Sequence, residues 1–230
     1  MNIINSNVTE NRHLAALASQ GISDNAIYAV FLEILEDLKL KGDLLDFGAG
    51  AGNLTRLISE LDRFESITSA DIIQQPVYLD KSIKWISEDL NNQLSIADET
   101  YDVIVSPEVI EHLENPRAII REWFRLLRPN GTLIFSTPNN ESFRSLFSLI
   151  LQGHFVAFVD SCYPAHITAL VRKDIGRILN ESGFSQPTFV FTDVGGIPKF
   201  PQWKWQSISL GLLKGLRFSD NLIVIAHKNK

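Results

Sequence analysis

The 230-residue sequence predicts an α/β fold, a mainly parallel sheet covered by helices on both faces. Three observations predict it. Short apolar runs alternate with stretches of helical period along most of the chain. The run Leu44-Leu45-Asp46-Phe47 breaks at once into Gly48, Gly50 and Gly52 at alternate positions. A helical pattern follows directly, and that order lets backbone approach a nucleotide-like ligand.

The elements follow in order. Ile27, Val30, Phe31, Ile34, Leu35 and Leu38 recur at helical spacing, so about Asn25 to Leu40 reads as an amphipathic helix, capped by Ser23 or Asp24. Leu44–Phe47 reads as a buried strand and Leu54–Leu61 as a helix. Ser66–Ala70 is a second strand, Ile83–Ile86 a third and Tyr101–Val105 a fourth. Pro116–Leu127 is a helix with apolar Ile119, Ile120, Trp123, Phe124 and Leu127. Pro129-Asn130-Gly131 reads as a turn before a fifth strand, Thr132–Ser136. Asp174–Asn180 is helical and stops at Gly183, and Thr188–Thr192 and Leu222–Ala226 are the last two strands.

Residues 1–230 are expected to form one domain, with an N-terminal helical segment over 1–41. Two stretches interrupt the alternation, 141–170 and 195–218. Both are rich in aromatic and aliphatic residues, and both read as lid-like insertions. The composition is that of a folded globule, 45% hydrophobic and 21% charged. A net charge of −6 argues against general nucleic-acid binding. The single cysteine, Cys162, rules out an internal disulfide. The first residues lack the basic and apolar regions of a signal peptide. The longest apolar region, Phe143 to Val159, is interrupted by Arg144, Gln152, Gly153 and His154, so no transmembrane segment is expected. The expectation is a soluble cytoplasmic protein.

The glycine spacing bears on the ligand. A dinucleotide loop of the form G-x-G-x-x-G seats a pyrophosphate on the helix N-terminus. Here the third glycine comes one residue early, and Asn53 stands in its place. Asp46, two residues before Gly48, would repel a pyrophosphate but suits a cationic amino group. Asp71 ends the second strand, 19 residues after Gly52, where a carboxylate can accept two hydrogen bonds from ribose hydroxyls. That position suits a dehydrogenase and a methyltransferase equally.

The whole pattern resembles the class I S-adenosylmethionine-dependent methyltransferases. Four segments carry the resemblance: the glycine loop; Asp89-Leu90 with the later Tyr101-Asp102-Val103-Ile104; Pro107-Glu108-Val109-Ile110-Glu111-His112-Leu113-Glu114-Asn115-Pro116; and Arg125-Leu126-Leu127-Arg128-Pro129-Asn130-Gly131-Thr132-Leu133. The third resembles the EVIEHL signature of the group that includes the ubiquinone-biosynthesis O-methyltransferases. Ser136-Thr137-Pro138-Asn139 continues the match, and His166–Phe184 carries a weaker echo. The resemblance implies a Rossmann-like three-layer sandwich. Its sheet would have seven strands, mostly parallel, with the last running antiparallel beside the sixth.

It also implies S-adenosylmethionine as cofactor. Its binding residues would be Asp46, Gly48, Ala49, Gly50, Gly52, Asn53, Asp71, Ile72, Asp89, Leu90, Ser106 and Pro107. Asp89 would contact the adenine amino group, and Leu90 would lie against the ring. Because the sulfonium is already activated, the protein must mainly position the acceptor and take its proton. His112 and His166, with Glu111, are the catalytic candidates. Glu108, Glu111 and His112 have i, i+3, i+4 spacing, which on a helix puts three ligands on one face. The same E-x-x-E-H arrangement occurs in small-RNA 2′-O-methyltransferases, where it binds a divalent metal with a later histidine. His166 would be that histidine here, and Mg²⁺ the metal.

Three functions from different classes remain open. One is O-methylation of a small-molecule acceptor: a glycan sugar, a quinone or phenol precursor, or a lipid-linked compound. Another is metal-dependent RNA 2′-O-methylation, which the acidic charge and the lone histidine of Tyr163-Pro164-Ala165-His166-Ile167-Thr168 disfavour. The third is a cofactor-binding regulatory subunit without turnover. The aromatic residues Phe200, Trp203 and Trp205 could serve a substrate lid, peripheral membrane contact or a homodimer interface.

Overall fold

The computed structural model describes residue 10, residues 12–14, 16 and 21, and residues 23–229. Most of the expected N-terminal segment before residue 23 lies outside the described residues.

Helix α1 (Asn25–Asp37) begins where Asp24 accepts the N–H of Ala26 at 2.8 Å, so Asp24 rather than Ser23 is the cap. Strand β1 (Gly42–Phe47) leads through the glycine turn into α2 (Asn53–Ser59). Then come β2 (Phe64–Asp71), β3 (Lys84–Ser87) and β4 (Tyr101–Ser106). Helix α3 (Pro116–Leu126) starts with Asn115 accepting from the N–H of Ala118 at 3.0 Å and with proline in its first turn, and runs into β5 (Leu127–Pro138). Helices α4 (Phe143–Gln152) and α5 (Arg172–Glu181) precede β6 (Thr188–Phe191). A small hairpin, β7 (Gly196–Ile197) with β8 (Phe200–Lys204), and a one-turn helix α6 (Trp205–Ile208) come before β9 (Asn221–His227).

Seven strands form one sheet in the order β3-β2-β1-β4-β5-β9-β6. β1 to β5 pair in parallel, and β9 slots antiparallel between β5 and β6. Neighbouring residues of each central strand face opposite sides of the sheet. Leu44, Val103, Val105 and Ile134 meet α1 and α2, whereas Leu45, Ile104, Leu133 and Phe135 meet α3 and α5. That double burial explains why the central strands read as largely apolar runs, interrupted by Asp46 in β1 and Asp102 in β4. It also confirms the three-layer α/β expectation.

One local expectation is corrected. Pro129-Asn130-Gly131 is not a free turn, because β5 continues through it as a bulge. Tyr101 pairs with Leu127 but Val103 with Thr132, so extra residues loop out between them. Asn130 takes a left-handed φ of 66°, and its N–H donates to the Lys228 carbonyl at 3.0 Å.

Candidate active site

The carboxyl ends of β1, β2 and β4 open onto a cavity of about 730 Å³. Gly48, Ala49, Gly50, Asp71, Ile72, Asp89, Leu90 and Pro107 line it, as do Glu108, His112, His166 and Asn221. It lies where an open α/β sheet binds ligands, beside the strand at which the order reverses.

The glycine loop is tight for a physical reason. Gly48 has φ 84°, and a Cβ there would lie 2.3 Å from a Val109 methyl. Gly50 has φ 52°, and a Cβ there would lie 2.5 Å from the Gly21 carbonyl oxygen. The N–H groups of Gly48 and Ala49 both donate to the Ala70 carbonyl, at 2.8 and 3.1 Å. The Gly50 N–H donates to Asp71 Oδ2 at 2.7 Å, and the Ile73 N–H to Asp71 Oδ1 at 3.1 Å. Asp71 therefore braces the loop and still faces the cavity with unused lone pairs. Burial raises its pKa, and the hydrogen bonds from Ile73 and Gly50 pull the other way.

Four of the residues expected against the cofactor do not line the cavity: Asp46, Gly52, Asn53 and Ser106. Ser106 is fully buried and donates to the Phe47 carbonyl at 2.8 Å, which ties the end of β4 to the end of β1. Gly52 and Asn53 make the loop-to-helix junction of α2. Asp46 is fully buried beneath the loop, where Thr55 Oγ1 donates to its Oδ2 at 2.6 Å. Its Oδ1 has no partner among the described residues. Burial, with the charge of Asp71 behind it, lifts the Asp46 pKa to about 7, against the hydrogen bond from Thr55. A buried, half-satisfied carboxylate suits a cation placed above the loop, as a sulfonium amino acid would be.

Asp89 is held at the other end. Arg12 donates to its Oδ2 at 2.7 Å and the Asn91 N–H to its Oδ1 at 3.0 Å. The same guanidinium reaches both oxygens of Glu114, at 2.9 and 2.7 Å.

Another part of the cavity wall is built around Ile110–His112, a single 3-10 turn rather than an α-helix. Glu108 has a left-handed φ of 52°, which breaks the helical spacing expected for Glu108, Glu111 and His112. Its carboxylate turns away from the other two, accepting from Ser136 Oγ and Asn221 Nδ2, both at 2.8 Å. Burial lifts its pKa to about 7, and those two hydrogen bonds oppose the rise.

Glu111 points the other way and is fully buried. Neither of its carboxylate oxygens has a partner within hydrogen-bond geometry among the described residues; the neighbouring Thr137 hydroxyl is likewise buried and unpaired. Burial first, and the Glu108 charge second, hold its pKa well above the ordinary carboxylate value. Its backbone carbonyl accepts from the N–H groups of Ile167 and Thr168, both at 2.9 Å. Those two bonds pin the distant loop, so that His166 stands against His112 with ring centroids 4.7 Å apart. His112 Nδ1 lies 2.8 Å from the Ala165 carbonyl and His166 Nδ1 lies 2.6 Å from the Ala157 carbonyl. A carbonyl only accepts, so each Nδ1 carries the hydrogen and each Nε2 keeps its lone pair. Burial and the neighbouring His166 push the His112 pKa down to about 4. One ligand atom from each of Glu111, His112 and His166 lies within 4.8 Å of the others, and Glu108 stands outside that group.

Sequence patterns did not single out Asn221 or Arg12, and they gave Ser136 only as part of the Ser136–Asn139 match, with no site role. Asn221 begins the last strand, and Arg12 lies in the N-terminal segment, so no local signal connects either to the site. Of the two lid-like insertions, 141–170 supplies Ser161–Ile167 to the cavity wall and 195–218 supplies none of it.

A glycine-rich loop under a cavity at the sheet's switch point, with carboxylates at the ends of successive strands, defines an enzyme of nucleoside-cofactor chemistry. The family follows from comparison. Residues 19–186 match the model of the methyltransferase domain, and the chain belongs to that family. It is 24% identical over 194 residues to the mitochondrial ubiquinone biosynthesis O-methyltransferase of Schizosaccharomyces pombe, covering 80% of this chain and 68% of the relative. The Dictyostelium discoideum counterpart is 26% identical over 179 residues, covering 70% and 54%. Other curated relatives of the same description are covered to about half their length, for example 48%. A methyltransferase structure from Archaeoglobus fulgidus superposes with a TM-score of 0.62 at 18% identity, covering 88% of this chain and 93% of that one, and shares the fold. The chain is thus an S-adenosylmethionine-dependent methyltransferase, as the EVIEHL resemblance implied.

Proposed function

We propose that this enzyme methylates an oxygen of a neutral, partly apolar small molecule, and that the His112–His166 pair receives the acceptor's proton. The observation that carries this is the pair itself: two imidazoles with hydrogen-bonded Nδ1 atoms and available Nε2 atoms, at the acceptor end of the cavity. In this reading the acceptor oxygen attacks the sulfonium methyl, the carbon–sulfur bond breaks, and S-adenosylhomocysteine leaves as a thioether. The hydroxyl proton passes to an imidazole Nε2. The relatives' named reaction, O-methylation in ubiquinone biosynthesis, favours oxygen as the acceptor atom.

In this reading the cofactor lies along Gly48–Gly50, with its ribose on Asp71 and its adenine between Asp89, Ile72 and Leu90. Asp46 stabilises the cationic end from beneath the loop, without direct contact. Charge narrows the acceptor. Among the described residues lining the cavity, Arg12 is the one Lys or Arg, and Asp89 and Glu114 already engage it. Asp24, Asp71, Asp89, Glu108 and Glu114 line the same cavity. Such a wall repels phosphates and carboxylates, which disfavours RNA. The single half-buried cysteine fits the cytoplasmic location we include in this reading.

A second reading rests on Glu111. A buried carboxylate without a hydrogen-bond partner, beside two histidine nitrogens, is a donor set that fits a divalent cation. The nitrogen donors suit zinc or manganese better than Mg²⁺, which prefers oxygen. A bound cation would lower the pKa of an acceptor hydroxyl.

The test is transfer of radiolabelled methyl from S-adenosylmethionine into fractionated metabolites, before and after dialysis against EDTA. Label in a neutral hydroxyl compound that survives dialysis supports the histidine reading. Loss on dialysis with recovery on adding metal supports the second. Cofactor binding without label in any pool would favour a regulatory subunit instead.

A further inference from the structure

Helix α4 presents its apolar side outward. Phe143, Phe147, Ile150 and Leu151 fall at i, i+4, i+7 and i+8 and are all exposed, Ile150 at 79%. The one fully buried residue of the helix is Ser145. An amphipathic helix that belongs to the core does the opposite.

The segment 195–218 extends this stripe. The Phe143 N–H donates to the Arg217 carbonyl at 3.0 Å, and the Phe143 and Phe218 rings meet at 5.4 Å. Phe218 in turn contacts Trp205 at 5.6 Å. On this segment Trp203 is 60% exposed and Leu210 93%.

Charge is segregated with the apolar residues. All 27 acidic residues of the chain lie outside 142–159 and 194–219, whereas Arg144, Lys199, Lys204, Lys214 and Arg217 lie inside. Of the acidic residues at the margins, Glu141 holds Arg172, Asp220 holds Arg144 and Asp193 accepts from the Gly215 N–H at 2.7 Å, whereas Asp160 is exposed and forms no ion pair among the described residues. Lys199, Lys204 and Lys214 form no ion pair among the described residues. A protein of net charge −6 thus carries one face that is apolar, aromatic and basic.

We infer that this face, α4 with residues 195–218, docks on the surface of an anionic lipid bilayer. Trp, Phe and Leu would enter the headgroup boundary while the lysines meet acidic headgroups. A second copy of the chain would bring the same cations against each other, which disfavours a homodimer through this face. The face adjoins the acceptor end of the cavity: the chain leaves α4 through Phe158, whose ring lies 5.6 Å from His166. Docking would hold that end near acceptors dissolved in or tethered to the membrane. The docking inference does not depend on the acceptor proposed above.

The test is co-sedimentation of the full chain with phosphatidylcholine vesicles, with and without phosphatidylglycerol, at low and high salt. Binding should require phosphatidylglycerol and weaken with salt. A variant carrying Ile150→Glu and Leu151→Glu, and one carrying Lys199→Glu, Lys204→Glu and Lys214→Glu, should each bind roughly tenfold more weakly or worse. Both should keep S-adenosylmethionine binding, which reports an intact fold. Val77→Glu, at a fully exposed site elsewhere, should leave vesicle binding unchanged. Equal sedimentation with and without phosphatidylglycerol, or unchanged binding by both variants, overturns the inference. A dimer in solution that the Ile150→Glu/Leu151→Glu variant dissociates would also overturn it, by assigning the face to a second copy.

Discussion

His112 and His166 stand edge to face, ring centroids 4.7 Å apart at 72°, with each Nδ1 directed to a backbone carbonyl. The carbonyl bonds fix both tautomers and both ring planes, so the pair is preorganised without a substrate. Replacing either by alanine should lower turnover by about 10²- to 10⁴-fold, the usual contribution of a general base. Affinity for S-adenosylmethionine should stay within a few-fold. Turnover and calorimetric titration on the same samples check this, and wild-type turnover by both variants would remove the pair from the chemistry.

Asp71 supports the cofactor loop through two backbone N–H groups, those of Gly50 and Ile73. Asp71→Ala strands both donors and removes the expected ribose acceptors. The loss should amount to about 1–3 kcal/mol in cofactor affinity, or 5- to 150-fold in Kd. Titration with S-adenosylhomocysteine measures it without turnover.

Gly48 leaves no room for a side chain. Gly48→Ala forces a methyl into Val109 and a left-handed φ of 84° on alanine. We expect destabilisation of about 2–4 kcal/mol, from the clash and the strain together. Adding Val109→Ala should restore less than half of it, because the backbone strain persists. Thermal melts of the three variants separate the two contributions.

Asp46 makes stability depend on pH in a defined direction. Its carboxyl titrates near 7 when folded and near 3.8 when unfolded, so the folded state binds the extra proton between those values. The stabilisation is complete below the unfolded pKa and is lost as pH rises through about 7. Asp46→Asn does not titrate and can keep the Thr55 hydrogen bond. Relative to this variant, the cofactor-free wild type should lose up to about 4 kcal/mol between pH 4 and pH 8, on the order of 10 °C in Tm. A pH-independent difference in Tm would mean that Asp46 is not buried as a titrating group.

Much of the fold was legible in order along the chain. The apolar runs at Leu44–Phe47 and Tyr101–Val105 are strands because both faces of a central strand are buried, a local pattern with a global cause. The bulge at Asn130 was missed because its support comes from the Lys228 carbonyl at the far end of the chain. The Glu108–His112 segment was recognised as chemically important but given the wrong geometry. Helical spacing assumed one face, and the left-handed residue at Glu108 sends its carboxylate to Ser136 and Asn221 instead.

The amino-acid order alone was enough for the cofactor class and the sheet. The glycine spacing, the acidic residues at or just after the ends of the first three strands and the EVIEHL segment that carries the family resemblance are local in sequence, and so are the apolar runs that burial on both faces of the sheet imposes. The division of labour within the site came only from tertiary structure. Whether Asp46 touches a ligand or lies beneath one depends on burial by Thr55 and the sheet, and a sequence position carries no depth. The meeting of Glu111, His112 and His166 depends on two hydrogen bonds to one carbonyl between segments far apart in the chain. The outward turn of Ile150 and Leu151 has the same origin: periodicity marks an apolar stripe, and only packing decides which way it faces.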